Sequence, residues 1–363
     1  RSTITTPLTT LDDLVSSGRI RPPQLLKLDV QGYEHEVLAG AARCLAQVEV
    51  VFVECSLLSH WPDAPLLAGM IERFARCGFV IFDTAGEQRL PGSEVLSQLD
   101  LVLVRQDRPY RPWSRLDMAE ETRRPKRPFK DVDRQVFRQL RDLGFAPHTV
   151  FDVGASDGSW TLALLEEFPD LRAALFEPLA KLEPAYDRGL QALAAAHPRC
   201  SFYPSALGRV TGTLELRRSS DPTASTTLPV DCAEVFPQAH SVRTMTMDDA
   251  VRILGLPYPD LIKIDTQGSE LEILRGAPEC LRHAGVLHLE TWFERAYGPH
   301  TPLMLELAAF LNDHRFYPYD LGDAYRDTSG TLVAQDLFFV RADLPLGRPP
   351  GERRAILPGP PPP

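Results

Sequence analysis

Short, almost wholly apolar runs alternate with longer amphipathic ones through the second half of the chain. Thr149-Val-Phe-Asp-Val153, Ala173-Ala-Leu-Phe-Glu177, Cys200 to Ala206, Leu261-Ile-Lys-Ile264 and Val286 to Thr291 have the length and apolar character of strands buried on both faces. Between them, Gly158 to Phe168 places Trp160, Leu164, Leu165 and Phe168 at helical spacing. Leu179 to Ala196, Ser269 to about Leu281 and Leu303 to Asn312 read as further helices. Such strands, separated by helices, predict an α/β fold with a mostly parallel sheet covered by helices on both faces. After the last helix, Arg315–Tyr319 and Gln335–Val340, with turn residues between them, predict a C-terminal antiparallel hairpin on the sheet edge.

The same pattern occurs earlier, in part. Lys27-Leu-Asp-Val-Gln-Gly-Tyr-Glu-His-Glu-Val-Leu-Ala-Gly-Ala41 repeats as Lys263-Ile-Asp-Thr-Gln-Gly-Ser-Glu-Leu-Glu-Ile-Leu-Arg-Gly-Ala277. The sequences align at an offset of 236 residues, without a gap, from Thr10/Thr246 through Glu54/Glu290 to Asp100/Asp336 and Asp107/Asp343. The first copy supplies only the later pieces: Leu25–Leu28, a helix from Tyr33, Val48–Val53 and the hairpin. Residues 1–107 therefore read as a partial domain and 131–343 as a complete one. Residues 108–130, rich in Pro and Arg, read as a linker. The Pro-rich stretch 344–363 cannot bury enough apolar surface to fold and is expected to be disordered. A half-domain of this kind would leave an apolar parallel edge open, which is a liability. Either its missing half lies upstream of Arg1, which is the expectation, or the segment docks on something else; a preceding sequence with no glycine-rich strand-turn would overturn the first.

Composition narrows the function. A net charge of −10 argues against a general nucleic-acid binder, since no basic field would neutralise phosphates. No apolar run reaches the roughly 20 residues that span a bilayer. The six cysteines show no CxxC or CxC spacing and read as buried reduced thiols rather than a disulfide or metal framework. The expected location is cytoplasmic. Arginine far outnumbers lysine, and Ala and Pro are abundant, an association with GC-rich bacterial genomes.

The chemistry concentrates on Val150-Phe-Asp-Val-Gly-Ala-Ser-Asp-Gly-Ser-Trp160, an acid-x-Gly-x-x-x-Gly pattern on a strand-to-helix turn. Gly154 permits a tight turn, and Gly158 lets a ligand approach the helix N-terminus. The spacing is not the dinucleotide GxGxxG, which opposes an oxidoreductase. Asp152 ends the first strand and suits a ligand carrying an ammonium or sulfonium charge better than one carrying pyrophosphate. Glu177, ending the second strand, stands where an acid accepts ribose hydroxyls. Ser205-Ala206, at the end of the third, stands where adenine is usually contacted.

Val150–Trp160, Phe176-Glu-Pro178, Ser205-Ala-Leu-Gly208 with Gly212-Thr213, Met247-Asp-Asp249 and Ile262–Glu270, taken in order, resemble the FkbM-type family of S-adenosylmethionine-dependent methyltransferases. The resemblance spans roughly 130–343, and 8–107 resembles the family's C-terminal half. It implies a class I methyltransferase (Rossmann-like) fold, S-adenosylmethionine as cofactor, and usually O-methylation of a hydroxyl on a sugar, polyketide or related metabolite. Ser156 departs from the middle glycine of many methyltransferases. On this reading Asp152, Gly154, Ala155, Ser156, Asp157, Gly158, Glu177, Ser205 and Asp265 bind the cofactor. Asp265, Glu290 and Lys263 are the candidates around methyl transfer, with no metal motif among them. Lys263 and Asp265 alternate onto one face of their strand, and Asp265 lies at its carboxyl end, where ligands of open α/β sheets bind. Lys263, deeper in the sheet, is expected to pair with a carboxylate.

Ser269 with Glu272 has capping-box spacing, and Glu270 and Glu272 suit a solvated first turn. His288 and Glu290 share a face. The copies keep the Glu as Glu54 and change the His to Phe52, which favours Asp265 and Glu290 over His288. Trp292, Phe293 and Tyr297 suit either stacking on a sugar ring or core packing. Residues 209–244 form an insertion that either covers the acceptor site or is a surface hairpin and loop. The expected partner is a small-molecule or glycan hydroxyl acceptor. The competing reading is a degenerate, duplicated methyltransferase that binds without catalysis, which suits residues 1–107 better than the half with the intact glycine turn.

Overall fold

The computed structural model describes residues 6–58, 64–91, 95–107, 131–230, 234–327 and 330–344. The chain divides into two compact units, residues 1–113 and 114–363. The expected linker, 108–130, and all of the expected tail except Leu344 lie outside the described residues.

The first unit runs α1 (Leu11–Ser16), β1 (Leu25–Leu28), α2 (Glu34–Ala39), α3 (Ala42–Leu45), β2 (Val50–Ser56), α4 (Leu67–Arg76), β3 (Phe79–Arg89) and β4 (Leu96–Arg105). Its sheet has the order β1-β2-β4-β3. β1 and β2 are parallel, and the β3–β4 hairpin adds antiparallel to β2. Burial alternates along β2, so one face, with Val51, Val53 and Cys55, packs against the core. Phe74 of α4 meets Phe79 edge to face at 5.9 Å.

The second unit opens with α5 (Asp131–Asp142), β5 (Thr149–Val153), α6 (Ser159–Glu167) and β6 (Arg172–Phe176). A 3-10 turn (Pro178–Lys181), α7 (Pro184–Ala196), β7 (Cys200–Tyr203), β8 (Ala206–Leu207), β9 (Gly212–Arg218), β10 (Gln238–Met245) and α8 (Met247–Leu254) follow. The unit closes with β11 (Leu261–Ile264), α9 (Glu270–Arg275), α10 (Pro278–His283), β12 (Val286–Trp292), α11 (Met304–Asp313), β13 (Phe316–Arg326) and β14 (Leu332–Arg341). Seven strands form one sheet in the order β13-β14-β12-β11-β5-β6-β7. All are parallel except the closing hairpin. This is the expected class I methyltransferase sheet. β5 and β11 are buried at every position, as strands covered on both faces must be. Strand order reverses between β5 and β11, so the ligand crevice of such a sheet opens there, at the carboxyl ends.

Three expected elements differ in detail. The helix expected over Leu179–Ala196 is a 3-10 turn followed by α7, because Pro178 and Pro184 each start a segment. The helix expected over Ser269–Leu281 breaks into α9 and α10. Gly276 packs so closely on another segment that a Cβ there would lie 2.3 Å from the Gly208 carbonyl, and Pro278 opens α10. The third strand ends at Tyr203, and Ala206–Leu207 joins β10 and β9 in a separate three-stranded sheet.

The repeat also needs a correction. Leu25↔Val50 and Glu54↔Asp100 have the register of Leu261↔Val286 and Glu290↔Asp336, all at the 236 offset. But Phe79↔Arg105 corresponds to Phe316↔Arg341. β3 therefore sits one residue off that offset, as does α4 against α11. The copies are not gapless: the second has one more residue before that helix and one fewer within the hairpin.

Candidate active site

A cleft opens at the carboxyl ends of β5 and β6. Gly154, Ser156 and Glu177 line one side; Asp265, Gln267 and Ser269 line another. The turn after β5 is held by backbone geometry. Gly154 has φ +77°, and a Cβ there would lie 1.9 Å from the Asp265 carbonyl, so only glycine fits. Ser156 also adopts a left-handed conformation, at φ +51°, and its N–H donates to Glu177 Oε2 at 2.8 Å. Ala155, Asp157 and Gly158 shape the turn without lining the cleft. The Gly158 N–H closes onto the Ala155 carbonyl, and Asp157 Oδ1 accepts from the Ser159 N–H at the start of α6.

Glu177 is buried, and its Oε1 accepts from the Leu179 N–H at 2.8 Å. Burial pushes its pKa up to about 7 against the pull of those two backbone bonds. Each carboxylate oxygen retains a second lone pair, and the residue lines the cleft, so a diol remains within its capacity.

Asp152 lies elsewhere than expected. Its side chain has no exposed surface; Oδ2 accepts from Thr161 Oγ1 at 2.7 Å, and Oδ1 stands 3.2 Å from Lys263 Nζ. It is not a cleft residue. Its charge is engaged by the lysine, because an uncompensated carboxylate at that depth would be costly. Lys263 Nζ donates to the Gly154 carbonyl at 2.8 Å and stands 3.6 Å from Asp265 Oδ2. Burial works against its charge, yet Asp152 and then Asp265 outweigh burial and hold its pKa above the usual lysine value. The lysine therefore ties β5, its glycine turn and β11 together. Ser205 is also buried, its hydroxyl 3.0 and 3.1 Å from the Ala206 and Arg243 carbonyls. Ala206 and Leu207, with Leu179 and Tyr186, provide the apolar wall instead.

Asp265 is the half-exposed acid of the site. Gln267 Nε2 donates to Asp265 Oδ1 at 3.0 Å and to Glu290 Oε2 at 3.0 Å, and Gln267 Oε1 accepts from the Tyr297 hydroxyl at 2.6 Å. The amide clamps the two carboxylates side by side. Gln267 has φ +57°, an uncommon conformation for a side-chain-bearing residue. The loop is held by Glu270, whose Oε1 accepts from the Thr266 N–H, Thr266 Oγ1 and Gly268 N–H, each at 3.1 Å. Glu270 is thus buried rather than solvated, and burial pushes its pKa up to about 7. The expected capping box does not form. Ser269 makes no cap, and its hydroxyl meets that of Thr227.

The insertion before β11 contributes to the cleft. Pro222, Thr223, Ala224, Ser225 and Thr227 line it, and Thr226 Oγ1 donates to the Gln267 carbonyl at 2.7 Å. Trp292, Phe293 and Tyr297 are buried, so they pack the core rather than present a stacking face. His288 stacks on Phe338 at 4.3 Å, and Nε2 lies 3.7 Å from Asp133 Oδ1. Asp133, His288 and Asp336 bring three potential metal-ligand atoms within 4.8 Å of one another. Asp133 comes from α5, so sequence spacing gives no sign of this grouping.

The profile of the Methyltransferase FkbM domain matches residues 1–81 and 152–317, more than half of the chain. The chain belongs to this family. S-adenosylmethionine is accordingly its cofactor, and the FkbM site offers a glycine turn, the buried Glu177, an apolar wall and the half-exposed Asp265. No curated protein matches the chain. Methyltransferase FkbM from Methylobacillus flagellatus KT is similar at 17% identity and a TM-score of 0.34, over 52% of this chain and 43% of that one. This chain thus spans less than half of that protein's length. The O-methyltransferase TomG from Streptomyces achromogenes, in complex with SAM, is 10% identical at a TM-score of 0.36, over 62% of this chain and 87% of its own. Magnesium protoporphyrin IX methyltransferase ChlM from Synechocystis PCC 6803, with bound SAM, is 14% identical at a TM-score of 0.33, over 62% and 90%. Likenesses this loose carry no residue role to this FkbM chain. Among the described residues no helix is long and apolar enough to cross a membrane.

Proposed function

We propose that the chain methylates a hydroxyl oxygen of a small hydroxylated metabolite, such as a sugar or polyketide, at the carboxylates beside the cofactor cleft. The observation that carries this reading is that Asp265 lines the same cleft as Gly154, Ser156 and Glu177 while Gln267 clamps it to Glu290. The cofactor, when bound, supplies an electrophilic methyl on a sulfonium. The protein's task is to align the acceptor and to take its proton. Glu177, in the same cleft as the turn from Gly154 to Ser156, would hold the ribose diol. Asp265 Oδ1 accepts from the Gln267 amide, and Oδ2 accepts the acceptor's O–H. As the acceptor's carbon–oxygen bond forms and the methyl's carbon–sulfur bond breaks, leaving S-adenosylhomocysteine, the hydroxyl proton would pass to Asp265 Oδ2. Glu290, held by the same amide, orients a second hydroxyl.

The test is calorimetric titration of S-adenosylhomocysteine into the full chain, followed by a panel of hydroxylated acceptors assayed for its release. Micromolar binding that is lost in Glu177→Ala supports the cofactor site. Asp265→Asn is expected to lower turnover by on the order of 10²-fold or more with cofactor affinity within about threefold. Equal turnover in that variant would remove Asp265 from the role. A folded chain that binds no S-adenosylhomocysteine would refute the cofactor site itself.

A further inference from the structure

The first unit repeats the acceptor side of the site in the same geometry. Gln31 Nε2 donates to Asp29 Oδ1 and to Glu54 Oε1, each at 3.0 Å, with Gln31 at φ +53°. This matches Gln267 between Asp265 and Glu290 in distances and backbone conformation alike. The β1–β2–β4 register also matches that of β11–β12–β14.

The two units differ at one edge. In the second, β5 pairs with β11 and sets Asp152 3.2 Å from Lys263. In the first, β1 pairs only with β2 among the described residues. Leu25 is 60% exposed where Leu261 is fully buried, and the Lys27 side chain is 60% exposed where that of Lys263 is 6%. Val30 and Tyr33, at the loop that follows, are exposed as well. Lys27 pairs with Asp29, on its own segment, at 3.0 Å.

We propose that the first unit is the acceptor half of a second methyltransferase domain. Its β1 edge is a docking site for a parallel β-strand that carries a carboxylate opposite Lys27 and leads a cofactor-binding half of the 131–245 kind. The partner's chemistry is read from this molecule's own occupied edge. It needs an apolar strand to cover Leu25, unpaired backbone groups to complete the ladder, and an acid to neutralise the lysine. An edge lysine also deters unwanted pairing, but that role needs neither the Asp29–Gln31–Glu54 clamp nor its left-handed glutamine.

The repeat gives the design of the test, because Thr10 stands where Thr246 does. A second copy of residues 131–245 is joined directly ahead of Thr10 in the full chain, and Leu25→Cys is placed in both this extended chain and the original. Maleimide modification of the introduced thiol, read on the peptide that carries it, is expected to slow on the order of tenfold or more in the extended chain. Lys27→Glu there should restore fast modification, and converting the added copy of Asp152 to Lys as well should slow it again. S-adenosylhomocysteine stoichiometry should rise from one to two per chain. The inference depends on the cofactor reading only for this last readout. If the introduced thiol is protected but neither chain binds S-adenosylhomocysteine, docking stands and the cofactor reading fails. Equal modification at this position in both chains, with the second unit still showing its own thermal transition, would overturn the docking edge.

Discussion

Glu177 performs two tasks with one carboxylate: it fastens the glycine turn to the next strand, and it faces the cleft. A buried acid with a pKa near 7 makes both tasks depend on pH. A diol donates to the ionised form, so affinity for S-adenosylhomocysteine should fall as pH drops through about 7, and calorimetry of Glu177→Gln should find weaker binding without that dependence. Stability runs the other way. The folded pKa lies above the ordinary value of 4.5, so the folded state holds its proton more tightly. The stabilisation is complete below about 4.5 and is lost as pH rises to about 7. Glu270 adds a contribution of the same sign. Urea midpoints of the ligand-free chain should therefore rise between pH 7 and 5 more steeply in the wild type than in Glu177→Gln. Asp152 pairs with Lys263 and does not line the cleft. Removing it strands Lys263 without its nearest counter-ion, and Asp152→Ala should cost about 3–5 kcal/mol in chemical denaturation; an unchanged midpoint would show that the pair is dispensable.

At the scale of elements, the strap of residues 222–227 lines the cleft and is fastened to the Gln267 loop through the Thr226 hydroxyl and to β9 by the Arg217–Thr226 bridge. Bound S-adenosylhomocysteine should slow proteolytic cleavage within it several-fold, and equal cleavage with and without ligand would show the strap is not part of the site. The central strands were legible in the sequence because β5, β6, β11 and β12 are nearly continuous apolar runs, and burial on both faces leaves little room for anything else. Helix boundaries were less legible where the deciding contact is distant, as when Gly276 lies against Gly208. The site was read in part. The glycine turn and Glu177 announced themselves by residue type and place. Asp152 and Ser205 were read as cleft-facing from their places near strand ends, and only the structure shows that Lys263 and the local carbonyls engage them. Gln267 has no titratable group to attract notice, although its recurrence as Gln31 was a signal in plain view.

Among the described residues each unit buries apolar side chains of its own, Val51, Phe74 and Leu101 in the first and Phe151, Phe176 and Phe338 in the second. Scanning calorimetry should resolve two transitions, and S-adenosylhomocysteine at about 100 times its dissociation constant should stabilise only the second unit, by about 2.7 kcal/mol. One transition that shifts as a whole would contradict the partition. The pairing of Lys263 with Asp152 has a practical consequence. Lysine is rare here: Lys27, Lys126, Lys130, Lys181 and Lys263 are the five in the sequence. An acylating reagent needs a neutral, accessible amine, and Lys263 is neither while the seam between β5 and β11 is closed. Its modification, read by mass spectrometry against exposed Lys27 in the same sample, is thus an intrinsic clock for the opening of the cofactor domain, with no label to install.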